Sequence, residues 1–526
     1  MGLSRYGTVG RLPSDRPVAL VAFGRRPPAF ARAGVEGRAL RRALRTSVAV
    51  LASVLLLSTP APGAGEVAVP SISGPVTGPG SPSLDSTTFS LASFGYVEEE
   101  FFATGVATDY VSDGDLSVDG KWSVSPRGTT EYTTRLLVRR PTARARFNGT
   151  VVVEWLNVSG GFDAAPDWTS THTMLLRDGF AWIGVSAQYI GVSGGPPLDR
   201  HLALKEVNPV RYGPLVHPGD TYSYDIFSQA GVAARRLAPR LLGKLWPKRV
   251  IAVGQSQSAA RLVAYIDAIH PLAHVYDGFL VHSRGAGAAP LSVPQPVFDG
   301  PPLALIRDDV DVPVLMFQTE TDVVAIGFFA ARQPDGPNVR TWEVAGTAHG
   351  DTYMMVVGPR DAGRSARDTT HLPPVYSILG GTVACDLPIN SGPQHYVLSA
   401  TLRQLARWVR TGRSPAPAPP LAVRSGAPPL LERDPFGNAV GGIRTPPVDV
   451  PVAVLSGIGQ PDRSPCTRVG TTIAFDAATI ASLYPDHRSY VAAVDRAARR
   501  AVARGVLIGV DATAIRRAAR SSSIGQ

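Results

Sequence analysis

The sequence predicts an α/β fold: a mostly parallel central sheet flanked by helices, with extra strands on its N-terminal side and a cap or insert region. Two observations carry this expectation. Apolar runs such as VVVEW (151–155) and VPVLMF (312–317) lack polar alternation, as strands buried on both faces require, and they alternate with stretches of helical spacing. One run, VIAVGQ (250–255), passes through a glycine into Ser256 and straight on into a helical pattern.

In chain order, EEEFFATGVATDYV (98–111) and TEYTTRLLVRRP (130–141) are rich in β-branched and aromatic residues and are separated by turn material, which predicts a small antiparallel section. VVVEWLN (151–157), FAWIGVSAQ (180–188), VIAVGQ, VYDGFLVHS (275–283), VPVLMFQTE (312–320) and VRTWEVAG (339–346) read as the sheet. Between them, 167–179, 220–242 and 256–270 carry helical spacing, and 396–412 forms an amphipathic helix further on. A pair of Ala/Arg-rich helices closes the chain, their charge expected on a solvated face. The organisation expected is a leader over 1–65, an irregular linker over 66–90, a catalytic domain over 91–415 and a C-terminal extension over 416–526 packing on it.

The net charge of +10 invites a nucleic-acid partner, yet residues 1–65 hold ten Arg against Asp15 and Glu36. About +2 remains for the other 461 residues, too little for a phosphate-neutralising surface, so no nucleic-acid partner is expected. Arg41, Arg42 and Arg45 precede the uncharged run TSVAVLASVLLLS and then PAPGAG, the shape of a secretory signal. That run is shorter than the ~20 residues a membrane span needs. The chain is therefore expected to be secreted or held in the cell envelope, with membrane contact only through an uncleaved leader. Cys385 and Cys466 both lie in the exported part; one disulfide and two free thiols stay open as readings.

A strand ending in Gly-x-Ser-x-small and turning into a helix is the nucleophile elbow of α/β hydrolases, so the expectation sharpens to an α/β-hydrolase fold. The turn lifts the Ser256 hydroxyl clear of the sheet, and Ser258 stands where a second glycine is usual. Such folds present nucleophile, acid and base in that order along the chain. Asp322, just past a core strand, is the expected acid, with Glu320 the rival two residues earlier. His349 in GTAHGD follows the next strand and is the expected base. Serine needs such an imidazole to take its proton, and the imidazole needs a carboxylate to fix its tautomer. For the oxyanion, the backbone N–H of Gln257 and one from Asn157 or Val158 in NVSGGFD are expected. His395 is a weaker candidate base, and His172, His217, Asp220 and His282 read as structural hydrogen-bonding residues. Glu154, inside an apolar strand, reads as a buried ion-pair partner. There is no HExxH, no spaced Cys/His cluster and no phosphate-cradling glycine loop, so neither metal nor cofactor is expected.

With VVVEWLNVSGG and PDW, AWIGVSAQ, RYGPLVHPGDTYSYDIFSQAG, GQSQSAARLVAYIDAIHP, QTETDV and WEVAGTAHGD in hand, residues 90–415 resemble the α/β hydrolase domain-containing proteins. The resemblance implies a hydrolase fold with a Ser-Asp-His triad carried onto Ser256, Asp322 and His349; it implies no substrate. The activity expected is cleavage of a small-molecule carboxylic ester through an acyl-enzyme. An amidase or peptidase with the same triad, and a non-catalytic exported binding protein, are the alternatives. The Gly- and Pro-rich segments 190–220 and 285–310, with Phe298 among their apolar residues, are expected to form the cap and rim.

Overall fold

The computed structural model describes residues 66–84, 87–196, 201–292, 300–363, 372–461 and 465–526. The expected leader and Phe298 lie outside the described residues. A nine-stranded sheet of order β1-β2-β3-β5-β4-β6-β7-β8-β9 organises the chain. Its parallel part comprises β4 (Thr150–Trp155), β5 (Ala181–Val185), β6 (Arg249–Gln255), β7 (Gly278–His282), β8 (Val314–Thr319) and β9 (Val339–Val344). All but one residue of β4 to β8 is buried, which is why these runs lack alternation.

The N-terminal strands are longer than their sequence signal. β2 (Tyr96–Ser112) and β3 (Val124–Pro141) form an antiparallel hairpin, and β3 joins the main sheet through β5. The stretch 66–90, expected to be irregular, adds β1 (Ser71–Ser73) to the edge of β2.

Side chains alternate between two apolar layers. Val153, Val281 and Met316 point to the face covered by α2 (Ser223–Arg236) and α3 (Gln257–Ala264). Val152, Leu280 and Phe317 point to the face covered by α1 (Pro166–Asp178) and α4 (Gln394–Thr411). The helix expected over 220–242 is broken at Leu237, two residues before Pro239, whose ring and missing N–H disallow a continuous ladder. Among the described residues Glu154 forms no direct ion pair. Its two carboxylate oxygens accept the backbone N–H groups of Asp167 and Trp168, each at 2.9 Å, and so cap the first turn of α1.

Residues beyond 416 build into the same body. Ile443 pairs alongside Val344 at the end of β9, its N–H donating to the Glu343 carbonyl at 2.7 Å. Tyr490, Val494 and Ile515 of the last two helices, α5 (His487–Ala503) and α6 (Gly509–Ser521), join the layer that holds Leu175 and Leu405. Cys385 and Cys466 are joined in a disulfide across 5.7 Å between Cα atoms. Among the described residues no helix is long and apolar enough to cross a membrane.

Of the two expected cap stretches, 190–220 contributes short helices at Tyr189–Ser193, Leu204–Val207 and Pro209–Tyr212. The other packs on α3, with the Ala289 N–H donating to the Ala260 carbonyl at 3.0 Å. A buried ion pair ties α3 to the first stretch: Arg261 Nη2 lies 2.9 Å from Asp220 Oδ2, and both side chains are almost fully enclosed. Removing one member leaves a buried charge without its partner. Arg261→Met is therefore expected to destabilise the fold by about 3 kcal/mol, read as a lowered urea unfolding midpoint; an unchanged midpoint would show that the pair does not brace the cap.

Candidate active site

Ser256 occupies the junction of β6 and α3 with φ 60° and ψ −117°. A side-chain-bearing residue rarely adopts this conformation, and holding it costs on the order of 1–3 kcal/mol. Two bonds grip the corner from either side: Ser256 N–H donates to the His282 carbonyl at 2.9 Å, and the Ser256 carbonyl accepts from Ala260 N–H at 3.0 Å. The turn also brings strand and helix close. A Cβ on Gly254 would sit 3.1 Å from both the Leu262 side chain and the Ser258 carbonyl oxygen. Ser258, in place of a second glycine, fits fully buried, its hydroxyl donating to the Leu156 carbonyl at 3.3 Å.

The expected base and acid reach this corner from the next loops. His349 Nε2 lies 2.8 Å from Ser256 Oγ, and His349 Nδ1 lies 2.7 Å from Asp322 Oδ1. A carboxylate only accepts, so Nδ1 carries the proton and Nε2 presents its lone pair to the serine hydroxyl. Asp322 is fixed in turn by Thr319 N–H, which donates to Oδ2 at 2.7 Å. Its rival Glu320 turns elsewhere: Oε1 accepts Gly346 N–H at 2.7 Å, while Oε2 meets Gly457 N–H at 3.0 Å and Arg433 at 3.1 Å. Glu320 holds the loop before His349 against the C-terminal segment and does not touch the imidazole. Burial raises its pKa, with Arg433 opposing.

Two residues outside the sequence expectation also position the histidine. Thr321 Oγ1 accepts His349 N–H at 3.1 Å and donates to the Gly457 carbonyl at 2.5 Å. Gln255 Nε2 lies 3.4 Å from the His349 carbonyl. Neither role has a sequence signal, because each depends on which loop the fold brings opposite.

Of the two expected partners for Gln257 N–H, the structure excludes one. Asn157 N–H is spent on the Ala164 carbonyl at 2.8 Å, and its side-chain amide donates to the Gln255 carbonyl at 2.8 Å. Asn157 thereby ties this loop to the end of β6. The N–H groups of Val158 and of Gln257, at the first position of α3, make no hydrogen bond among the described residues.

The other histidines and Asp220 have structural partners. His217 Nε2 meets the Ala187 carbonyl at 2.9 Å, and His172 Nε2 meets the Asp361 carbonyl at 2.6 Å. His282 Nδ1 lies 2.9 Å from Asp167 Oδ1. Asp220, besides Arg261, accepts Tyr189 N–H at 2.8 Å. His395 is buried with its ring stacked on Tyr353 at 3.7 Å, and burial pushes its pKa down to about 3. It makes no bond to Ser256.

A cavity of about 330 Å³ lies beside the Asn157–Ala164 loop, lined by Leu84, Phe162, Leu202, Leu204 and Val207 together with Ser83 and Asp163. Ser256, Gln257 and His349 are not among its lining residues.

A family model described as Alpha/beta hydrolase domain matches residues 61–517. The chain belongs to this α/β hydrolase domain family. Three solved structures match this α/β hydrolase at low identity. An esterase from Rhizomucor miehei is 14% identical over 49% of this chain and 78% of its own, with a TM-score of 0.25. The glucuronoyl esterase from Solibacter usitatus is 11% identical over 47% and 76%, and a thermostable esterase from Pseudomonas putida is 12% identical over 49% and 75%, each with a TM-score of 0.25. No curated protein matches the sequence. The family assignment rests on the family model and not on these distant structures.

Two residues past His349, Asp351 is fully buried. Its Oδ1 accepts Met354 N–H at 2.8 Å, but Oδ2 has no partner among the described residues, and burial raises the pKa from 3.8 to about 7. A raised carboxyl pKa favours the protonated form in the folded state. Its stabilising contribution is thus complete below about pH 3.8 and lost as pH rises through about 7. Asp351→Asn is expected to melt at a higher temperature than the wild type at pH 8 and within a degree or so of it at pH 4; a lower melting temperature for the variant at pH 8 would refute this account.

Proposed function

We propose that this α/β hydrolase is an exported serine hydrolase that cleaves a carboxylic ester through an acyl-enzyme. The observation that carries the reading is the continuous run of hydrogen bonds from Ser256 Oγ through His349 to Asp322, at 2.8 and 2.7 Å, on a serine held at positive φ. In the first half-reaction Ser256 Oγ attacks the ester carbonyl carbon while His349 Nε2 accepts its proton. Asp322 stabilises the imidazolium and fixes its orientation. The tetrahedral oxyanion receives the N–H groups of Gln257 and Val158, both without competing partners. Collapse expels the alcohol, protonated by His349; water, deprotonated by the same imidazole, then releases the acid and restores Ser256.

One further pair of features supports the reading. The arginine-then-apolar leader pattern and the Cys385–Cys466 disulfide favour export, since disulfides persist in oxidising compartments.

A fluorophosphonate probe is expected to label the wild type and to leave Ser256→Ala and His349→Ala unlabelled. Turnover of p-nitrophenyl esters is expected to drop by about 10³-fold or more in either variant. Absence of Ser256-dependent labelling in folded protein would overturn the catalytic reading in favour of a binding role. Faster turnover of matched p-nitroanilides than of esters would replace esterase by amidase.

A further inference from the structure

The helix that begins after Ser256 does not end with α3. It continues through a π-turn at Tyr265–Ile269 into a last turn at His270–Ala273, and His274 closes it in the left-handed conformation, φ 45° and ψ 41°. Four-residue spacing puts His270 and His274 on one side of this end, their ring centroids 5.4 Å apart. Asp311, in the loop leading into β8, reaches between them. Its Oδ1 lies 2.8 Å from His270 Nε2 and its Oδ2 lies 3.2 Å from His274 Nδ1.

We propose that His270, His274 and Asp311 form a three-ligand site for one divalent cation of borderline softness, with zinc as the type and the remaining coordination positions open to water. Two imidazoles and a carboxylate are the donor set such ions select over magnesium or calcium, which take oxygen. One donor atom from each residue lies within 4.8 Å of the other two. With metal–ligand bonds of about 2.0–2.1 Å, neighbouring donors of a tetrahedron stand about 3.3 Å apart. The two imidazole nitrogens lie 2.8 and 3.2 Å from different oxygens of Asp311, so a turn of the carboxylate that sets one oxygen between them would complete the three-donor face.

The site combines one rigid ligand with two accessible ones. His270 is almost fully buried, its ring packed edge-on against Phe279 at 5.1 Å and 83°. His274 and Asp311 are more than half exposed and give the ion a way in. The neighbouring Arg307 guanidinium is paired with Asp309, at 2.6 and 3.0 Å. His270 Nδ1 is buried without a partner among the described residues, so no outer acceptor of the kind that strengthens many histidine ligands is found there, and micromolar affinity is expected over a tighter one. A bound ion would pin the far end of the helix that starts after Ser256 to the loop entering the strand that leads to Asp322. It acts as a brace and takes no part in ester cleavage.

The test uses the full chain without an added histidine tag, stripped with chelator and dialysed against zinc chloride. One equivalent per chain is expected to bind in the micromolar range and to raise the melting temperature by about 2 °C at saturating zinc. His274→Gly removes a ligand at a position whose positive φ suits glycine, and Asp311→Asn removes the anionic donor while keeping a partner for His270. Each is expected to weaken zinc binding at least tenfold while its metal-free form melts within about 2 °C of the metal-free wild type. Binding of less than one equivalent at about 100 μM zinc, undiminished binding by both variants, or magnesium binding as tight as zinc would each overturn the assignment.

Discussion

The backbone at Ser256 is the constraint on which the rest of the site depends. A left-handed residue between a strand and a helix is unfavourable in isolation, and here it persists because the elements on either side cannot relax without losing buried hydrogen bonds. The His282 carbonyl holds the serine N–H from the neighbouring strand, and the first turn of α3 holds its carbonyl. Gly254 and Ser258 keep the two arms of the turn in contact, and any larger residue at 254 would press on Leu262 and the helix backbone. The hydroxyl is presented toward His349 as a result of that packing, and the strain is offset by the core beneath it.

Around this corner, each polar group is oriented by another that lies outside the Ser-His-Asp line. Thr321 takes the His349 N–H, Thr319 takes one oxygen of Asp322, and Asn157 ties the loop of Val158 to the strand that ends before Ser256. Glu320 is drawn toward Arg433 and Gly457, which leaves Asp322 to face the imidazole. Two carboxylates two residues apart thus have separate tasks because the short helix beginning at Glu320 points them in different directions.

The sheet was legible in the sequence because strands buried on both faces leave an unmistakable apolar run, and the order serine, aspartate, histidine past successive strands singled out the three residues the fold brings together. What was illegible depends on pairing between distant segments. Nothing in NVSGG shows that Asn157 N–H is consumed by Ala164 while Val158 N–H is left over. QTETD favours Asp322 by its place past the strand, but what draws its rival Glu320 away, Arg433 and Gly457, lies more than a hundred positions later. Glu154 looked like an ion-pair member because a lone charge in a strand demands a partner; helix N–H groups, which no side-chain pattern advertises, fill that need. His270 and His274 were passed over in the sequence, where no spaced Cys/His cluster was recognised, because their third neighbour, Asp311, comes from a distant loop with no shared motif.

The dependence of Glu320 on Arg433 and Gly457, and of β9 on Ile443, imposes an order in time. The segment containing Ser256 emerges from the ribosome roughly two hundred residues before the groups that hold the acid and histidine loops in register. A nascent chain therefore carries its serine long before it holds all the groups that orient its surroundings, and the arrangement is completed only once Arg433, Ile443 and Gly457 have been made.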